Sequence, residues 1–159
     1  MADTKVTRSS TTALTLHSSL NSLASGGANA SLTAAVDDTT ARSVNGLVRV
    51  KLVGSASTTT SCLIYLVGGF ADDVYTDELA PGGSGAQIAV VDLDNSPLLG
   101  TMQMEGTSPY VATGMFPLAR PFGGLVPPKW AVAVRNESGG ALAASGHAID
   151  VVTYTFTTV

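Results

Sequence analysis

Three observations on the sequence predict an all-β fold, a β-sandwich of about eight short strands. Alternating or continuously apolar segments recur along the chain, and clusters of Gly, Pro, Asn, Asp and Ser separate them. No segment keeps a 3.6-residue amphipathic period over three turns, so less than about a tenth of the chain is expected in α-helix, against a usual ~30%. The 159 residues are 45% hydrophobic and 13% charged, and 16 Ser and 19 Thr fill the gap left by charge. That charge is about half the ordinary share, while the apolar content is ample for one core. The length suits a single domain. The long connections at 68–85 and 117–128 read as crossovers between two sheets, so a jelly roll is the first choice and another Greek-key sandwich, such as an immunoglobulin-like one, the second.

The elements follow in chain order. Residues 1–12 are polar and aperiodic and are expected to form a flexible N-terminal arm, leaving 13–159 as the domain. Leu14 and Leu16 alternate with polar residues in a short strand at 13–17. Gly26 and Gly27 mark a loop, and 31–36 reads as a short strand or a single helical turn. At 46–53, Val48, Val50 and Leu52 alternate with Leu47, Arg49, Lys51 and Val53, as in a strand with one buried face. The run 58–67 turns continuously apolar towards its end, so it is covered on both faces, and Gly68-Gly69 is expected to break it. Further strands are expected at 86–93, 98–104, 110–118, 129–136 and 147–157. In the core these segments place Cys62 and Ile64 together with Trp130, Val132 and Val134, whose alternating partners Ala131 and Ala133 are small.

Composition excludes several functions. The net charge is −4, and the eight cations are scattered from Lys5 to Arg135, so no patch is offered to nucleic acid. No apolar run approaches the ~20 residues that cross a bilayer, and the N-terminus has no secretory h-region. The single cysteine, Cys62, sits in an apolar strand and reads as an inert core thiol of a chain made in a reducing cytoplasm.

Chemistry-bearing patterns are sparse. His17 and His147 are too few for a histidine-rich metal site and read as surface or rim residues. Asp72, Asp73, Asp77 and Glu78, and separately Asp92 and Asp94, could contribute oxygens to calcium, but neither group has EF-hand spacing, and the expected metal and cofactor complement is none. Ser84 lies between glycines without the strand–turn–helix context of a nucleophile elbow. No catalytic residue is assigned. Asn29 and Asn136 head glycosylation sequons, taken as chance matches.

From Phe122 the chain runs Gly-Gly-Leu-Val-Pro-Pro-Lys-Trp130 into a strand, then Arg135-Asn136, a turn of small residues, and Ser145-Gly-His147 before the last strand. This order, with Ser19-Leu-Asn-Ser-Leu-Ala-Ser-Gly-Gly-Ala28 and the Leu99-Gly100-Thr101 strand, resembles small virion structural proteins of tailed bacteriophages over residues 14–157. The shared motifs are structural and none is catalytic. The resemblance implies a non-enzymatic virion protein, first a capsid decoration (cement) protein and otherwise a tail, baseplate or fibre component. A cement protein would be made in the host bacterial cytoplasm and sit on the capsid exterior. Its partners would be the major capsid protein and its own copies, as a homotrimer, with no nucleic acid and no membrane. Docking is expected to use the arm, where Lys5 and Arg8 flank Val6 and the local charge of +1 contrasts with −5 on the rest of the chain. The rival from another class is a carbohydrate-binding module, with Tyr75, Tyr110 or Trp130 stacking on sugar rings.

Overall fold

The computed structural model describes residues 4–55, 58–71, 74–76, 79, 81 and 84–158. Twelve strands form two antiparallel sheets, and the described residues contain no α-helix. In chain order the strands are β1 (Thr4–Arg8), β2 (Thr12–Ala13), β3 (Asn29–Leu32), β4 (Val36–Asp37), β5 (Asn45–Gly54), β6 (Thr58–Ala71), β7 (Val74–Tyr75), β8 (Ala86–Ala89), β9 (Leu98–Gly106), β10 (Tyr110–Pro117), β11 (Lys129–Glu137) and β12 (Ala148–Thr158). The front sheet has five strands in the order β1-β12-β5-β10, with β2 beside β1 on β12. The back sheet has seven, in the order β7-β6-β11-β3-β8, with β9 on β6 and β4 on β11.

The pairing is nested. The first strands β1 and β2 pair with the last, β12; β3 pairs with β11; β5 pairs with β10; β6 pairs with β9. Successive pairs fall alternately in the front and back sheets. Between the sheets lies the main core, where Val48, Val50, Leu52, Ile149 and Val151 of the front sheet meet Ile64, Leu66, Met104, Val132 and Val134 of the back sheet. Trp130, Cys62 and Ile64 are fully enclosed in it. The indole Nε1 of Trp130 is buried and has no hydrogen-bond partner among the described residues. Burial pushes the Cys62 thiol up to about 12, and its Sγ lies 3.4 Å from Asn136 Oδ1.

Beyond the split of the element expected at 31–36 into β3 and β4, the structure departs from the sequence reading in four places. The segment expected to be a free arm is paired: Thr4–Arg8 lies along Tyr154–Thr158 and Thr12–Ala13 along Asp150–Val151. Backbone ladders hold it, and none of its β1 side chains is buried, so it carries no core-facing period to read. The strand expected at 13–17 ends at Ala13. The strand expected at 86–93 ends at Ala89, after which Val90–Leu93 turns tightly as a 3-10 helix capped by Asp92, whose Oδ2 accepts the Ala89 N–H at 3.2 Å. Finally, β6 runs through Gly68-Gly69 to Ala71 instead of breaking. The two glycines are needed for close approach: a Cβ on Gly68 would lie 2.6 Å from the Phe122 ring, and one on Gly69 would lie 2.6 Å from the Tyr75 ring.

Candidate interaction surface

The two sheets differ in what covers their outer faces. After β6 the chain pairs back as β7, and β8 then lies at the opposite edge of the back sheet, beyond β11 and β3. Tyr75 and Leu79 of this connection, with Leu93 of the following turn, close over Val67, Ala131, Ala133, Ala30 and Leu32 as a second apolar cluster. The small Ala131 and Ala133 leave room for that roof, and β11 is consequently buried on both faces from Trp130 to Val134.

No described segment covers the front sheet in this way. Strand β5 alternates strictly from Asn45 to Val50, with Gly46, Val48 and Val50 buried and Leu47 and Arg49 exposed. Nine large apolar side chains stay exposed among the described residues, and five of them stand on this outer face: Val6, Leu47, Val111, Met115 and Phe156. Cross-strand register groups them. Val6 lies opposite Phe156 on the paired ends of β1 and β12. Leu47 sits between Val152 and Pro117, and Arg49 sits between Asp150 and Met115. Met115, beside Arg49, is 70% exposed, and Phe156, beside Val6, is 59% exposed.

A cleft of about 350 Å³ opens in the middle of this face, lined among others by Arg8, Leu47, Arg49, Met115, Val152 and Tyr154. Arg49 Nε donates to Asp150 Oδ2 at 2.9 Å, and its Nη2 donates to the same oxygen. The Asp150 side chain is largely sheltered, at 12% exposed, whereas the Arg49 side chain is 56% exposed. The pair therefore fixes Arg49 across the strands while leaving its outer edge free to meet another acceptor.

The remaining residues singled out in the sequence are dispersed. Lys5, Val6 and Arg8 are all exposed on β1. Trp130, Val132, Val134, Cys62 and Ile64 lie together in the main core. Of the three aromatics considered for sugar stacking, Tyr75 and Tyr110 are less than a tenth exposed and Trp130 is fully buried, so none offers a ring to solvent. His17 Nδ1 accepts the Ser19 N–H at 3.2 Å and caps a 3-10 turn at Ser18–Leu20. His147 is a staple: its Nδ1 accepts the Val53 N–H at 3.2 Å and its Nε2 donates to Ala143 O at 2.9 Å. This arrangement needs the neutral ring, and burial holds the His147 pKa below its ordinary 6.5. Asp72, Asp73, Asp77 and Glu78 lie outside the described residues, and no group of three or more potential metal ligands occurs among the described ones. Ser84 is an exposed turn residue.

Asn136 takes a structural part that its sequon does not suggest. It is 1% exposed. Its Nδ2 donates to Leu23 O at 2.7 Å and Gly140 O at 2.9 Å, while Oδ1 accepts the Ser138 N–H at 3.0 Å. The amide thus ties the 21–27 loop and the 137–140 turn to the end of β11. Among the described residues, no helix is long and apolar enough to cross a membrane.

Of the bare face, sequence reasoning singled out Val6 and Arg8, as part of a free arm, and missed Leu47, Arg49, Val111, Met115 and Phe156. Part of the signal was present, because the outward side of β5 carries Leu47 and Val53 as well as two cations. Which sheet receives a roof depends on the path of the 72–97 connection, and no local pattern states that path. No protein-family model matches the sequence, and no curated protein matches it.

Proposed function

We propose that this chain is a non-enzymatic structural protein of a tailed-phage virion, a capsid decoration protein that sits on the shell exterior and bridges major capsid subunits. The carrying observation is the bare front sheet, whose outer face exposes Leu47 and Met115 beside the fixed Arg49 and, towards its two ends, Val111 and the pair Val6 and Phe156. Such a face loses contact with water only when another protein covers it, and stable protein interfaces have an apolar centre with a polar rim. Its work is mechanical: cohesion between subunits rises with the area each copy covers on two neighbours, and no bond is made or broken.

The nested pairing supports the same reading. Taking β1 with β2 as the first strand and β3, β5, β6, β9, β10, β11 and β12 as the second to eighth, the sheets run 1-8-3-6 and 2-7-4-5. That is a long antiparallel hairpin rolled into a sandwich, and we read it as a jelly roll, an architecture used in capsid proteins. The homotrimer implied by the phage resemblance is part of this proposal.

The test is cryo-electron microscopy of intact virions that carry the chain. Density for this sandwich at repeated positions on the outer shell, with the front sheet turned towards a neighbouring subunit, is the expected result. Density confined to the tail or baseplate would assign the chain there, and a chain missing from purified virions would remove the structural role altogether.

A further inference from the structure

The bare face has a charge that its apolar content obscures. The outer face of the front sheet carries Arg8, Arg49 and Lys51 against one acid, Asp150, while Lys5, opposite Thr157, alternates to the other side of β1. The chain as a whole is at −4, so the rest of the sandwich is strongly acidic. A face that is apolar and cationic selects a partner surface that is apolar and anionic.

This chain presents such a surface on its other side. The tight turn Val90–Leu93 belongs to the roof of the back sheet, where buried Leu93 anchors it. Val91 projects from the turn and is 71% exposed, with Asp92 beside it and exposed Asp94 following. Here an apolar knob is flanked by carboxylates on a short, packed turn. The front-sheet cleft of about 350 Å³ has the opposite character, with Leu47, Met115 and Val152 as its apolar lining and Arg8 and Arg49 as its cations.

We infer that the front-sheet cleft of one copy receives the Val91–Asp94 turn of a second copy, in a head-to-tail contact. Val91 seats against Met115 and Leu47, and the carboxylates meet the exposed edges of Arg8 and Arg49. A symmetric face-to-face dimer would instead bring two cationic faces together, which charge opposes. A contact between two different patches is heterologous, and every three-membered ring is built from contacts of that kind. The inference deepens the assembly reading above by naming the surface and its occupant, and it is tested without a virion.

The experiment is sedimentation of the full chain and two variants, each altered at a site exposed in the single molecule. Met115→Glu spoils the cleft and leaves the knob; Val91→Lys spoils the knob and leaves the cleft. The intact chain should self-associate at low salt, and association should weaken at least about tenfold at 0.5 M salt, as expected for charges screened beyond roughly 4 Å. Each variant alone should be monomeric with an unchanged melting temperature. An equimolar mixture should form a one-to-one complex, since the cleft of one variant still accepts the knob of the other. An intact chain that stays monomeric up to about 100-fold above its low-salt working concentration, a Val91→Lys variant that associates as well as the intact chain, or a mixture that remains monomeric would each overturn the contact. An intact chain that is monomeric in solution yet occupies virion shells would remove this contact while leaving the structural role in place.

Discussion

Strands β5 and β11 occupy comparable central positions in their sheets, yet one is buried on a single face and the other on both. In β11 the residues between Trp130 and Val134 all lie in the interior, with Trp130, Val132 and Val134 on the main core and Ala131 and Ala133 under the roof. In β5, Val48 and Val50 are buried while Leu47 and Arg49 face out. The difference lies in the connections more than in the strands. Between β6 and β9, Tyr75, Leu79 and Leu93 cover the outer face of the back sheet, whereas no described residue roofs the front sheet in this way. On the outer faces the same side-chain type therefore meets different surroundings: Leu32 of the back sheet is buried under Tyr75, Leu79 and Leu93, whereas Leu47 of the front sheet is exposed.

The comparison can be broken most severely at Trp130. Replacing it with Ala should cost about 3–5 kcal/mol in denaturant unfolding, as large core truncations do. Trp130→Phe should cost less than half of that, because it keeps a ring and removes an indole N–H that has no partner. Equal losses in the two variants would show that the indole nitrogen is satisfied.

A matched pair of leucines sharpens the contrast. Leu93→Ala removes a roof side chain that is 4% exposed and should cost about 2–4 kcal/mol. Leu47→Ala, on the bare face, should move stability by no more than about 0.5 kcal/mol in the monomer. Similar values for the two would mean that the front face is covered in solution even in a single copy.

Asn136→Ala should cost about 1–3 kcal/mol, because it leaves the Ser138 amide without its acceptor and removes one of the two donors to each of the Leu23 and Gly140 carbonyls. The smallest effect concerns pH. His147 has its pKa lowered in the fold, so the unfolded chain binds the extra proton more readily. Its contribution to stability is fully present above pH 6.5 and is lost as pH falls through the folded value. His147→Ala should lower stability at pH 8 and flatten the fall in melting temperature between about pH 7 and 5. A slope that is unchanged in the variant would remove His147 as its cause.

The parts of the fold that could be read in the sequence are those with one wet and one dry side. The alternation of Val48, Val50 and Leu52 located β5 to within a residue at each end, and Trp130-Ala-Val-Ala-Val134 gave both the strand and its inner face. The segment Thr4–Arg8 was not legible as a strand, since both its faces are exposed and hydrogen bonds to β12 hold it without leaving any side-chain period. Gly68-Gly69 looked like a break because the sequence shows the missing side chains but not the Phe122 and Tyr75 rings that need the space. The candidate surface was legible only as Val6 and Arg8 near the N-terminus and as Leu47 and Val53 among the outward residues of β5. Its exposure depends on where another segment goes, and that is a property of the whole chain path.

The nesting of the strands also constrains the order in which the molecule can be made. Thr7 and Thr157, whose hydroxyl oxygens lie 3.0 Å apart, are separated by 150 positions in the chain. As the chain leaves the ribosome, β6 and β9 can meet first, β5 must then wait for β10, β3 for β11, and β1 for β12. Every closure after the first brings together segments farther apart in sequence than the last, so the sandwich zips outward from its middle and folds slowly for its size. Until β12 emerges, the edge of β5 away from β10 has no partner strand, and the nascent chain presents that unpaired edge to its surroundings.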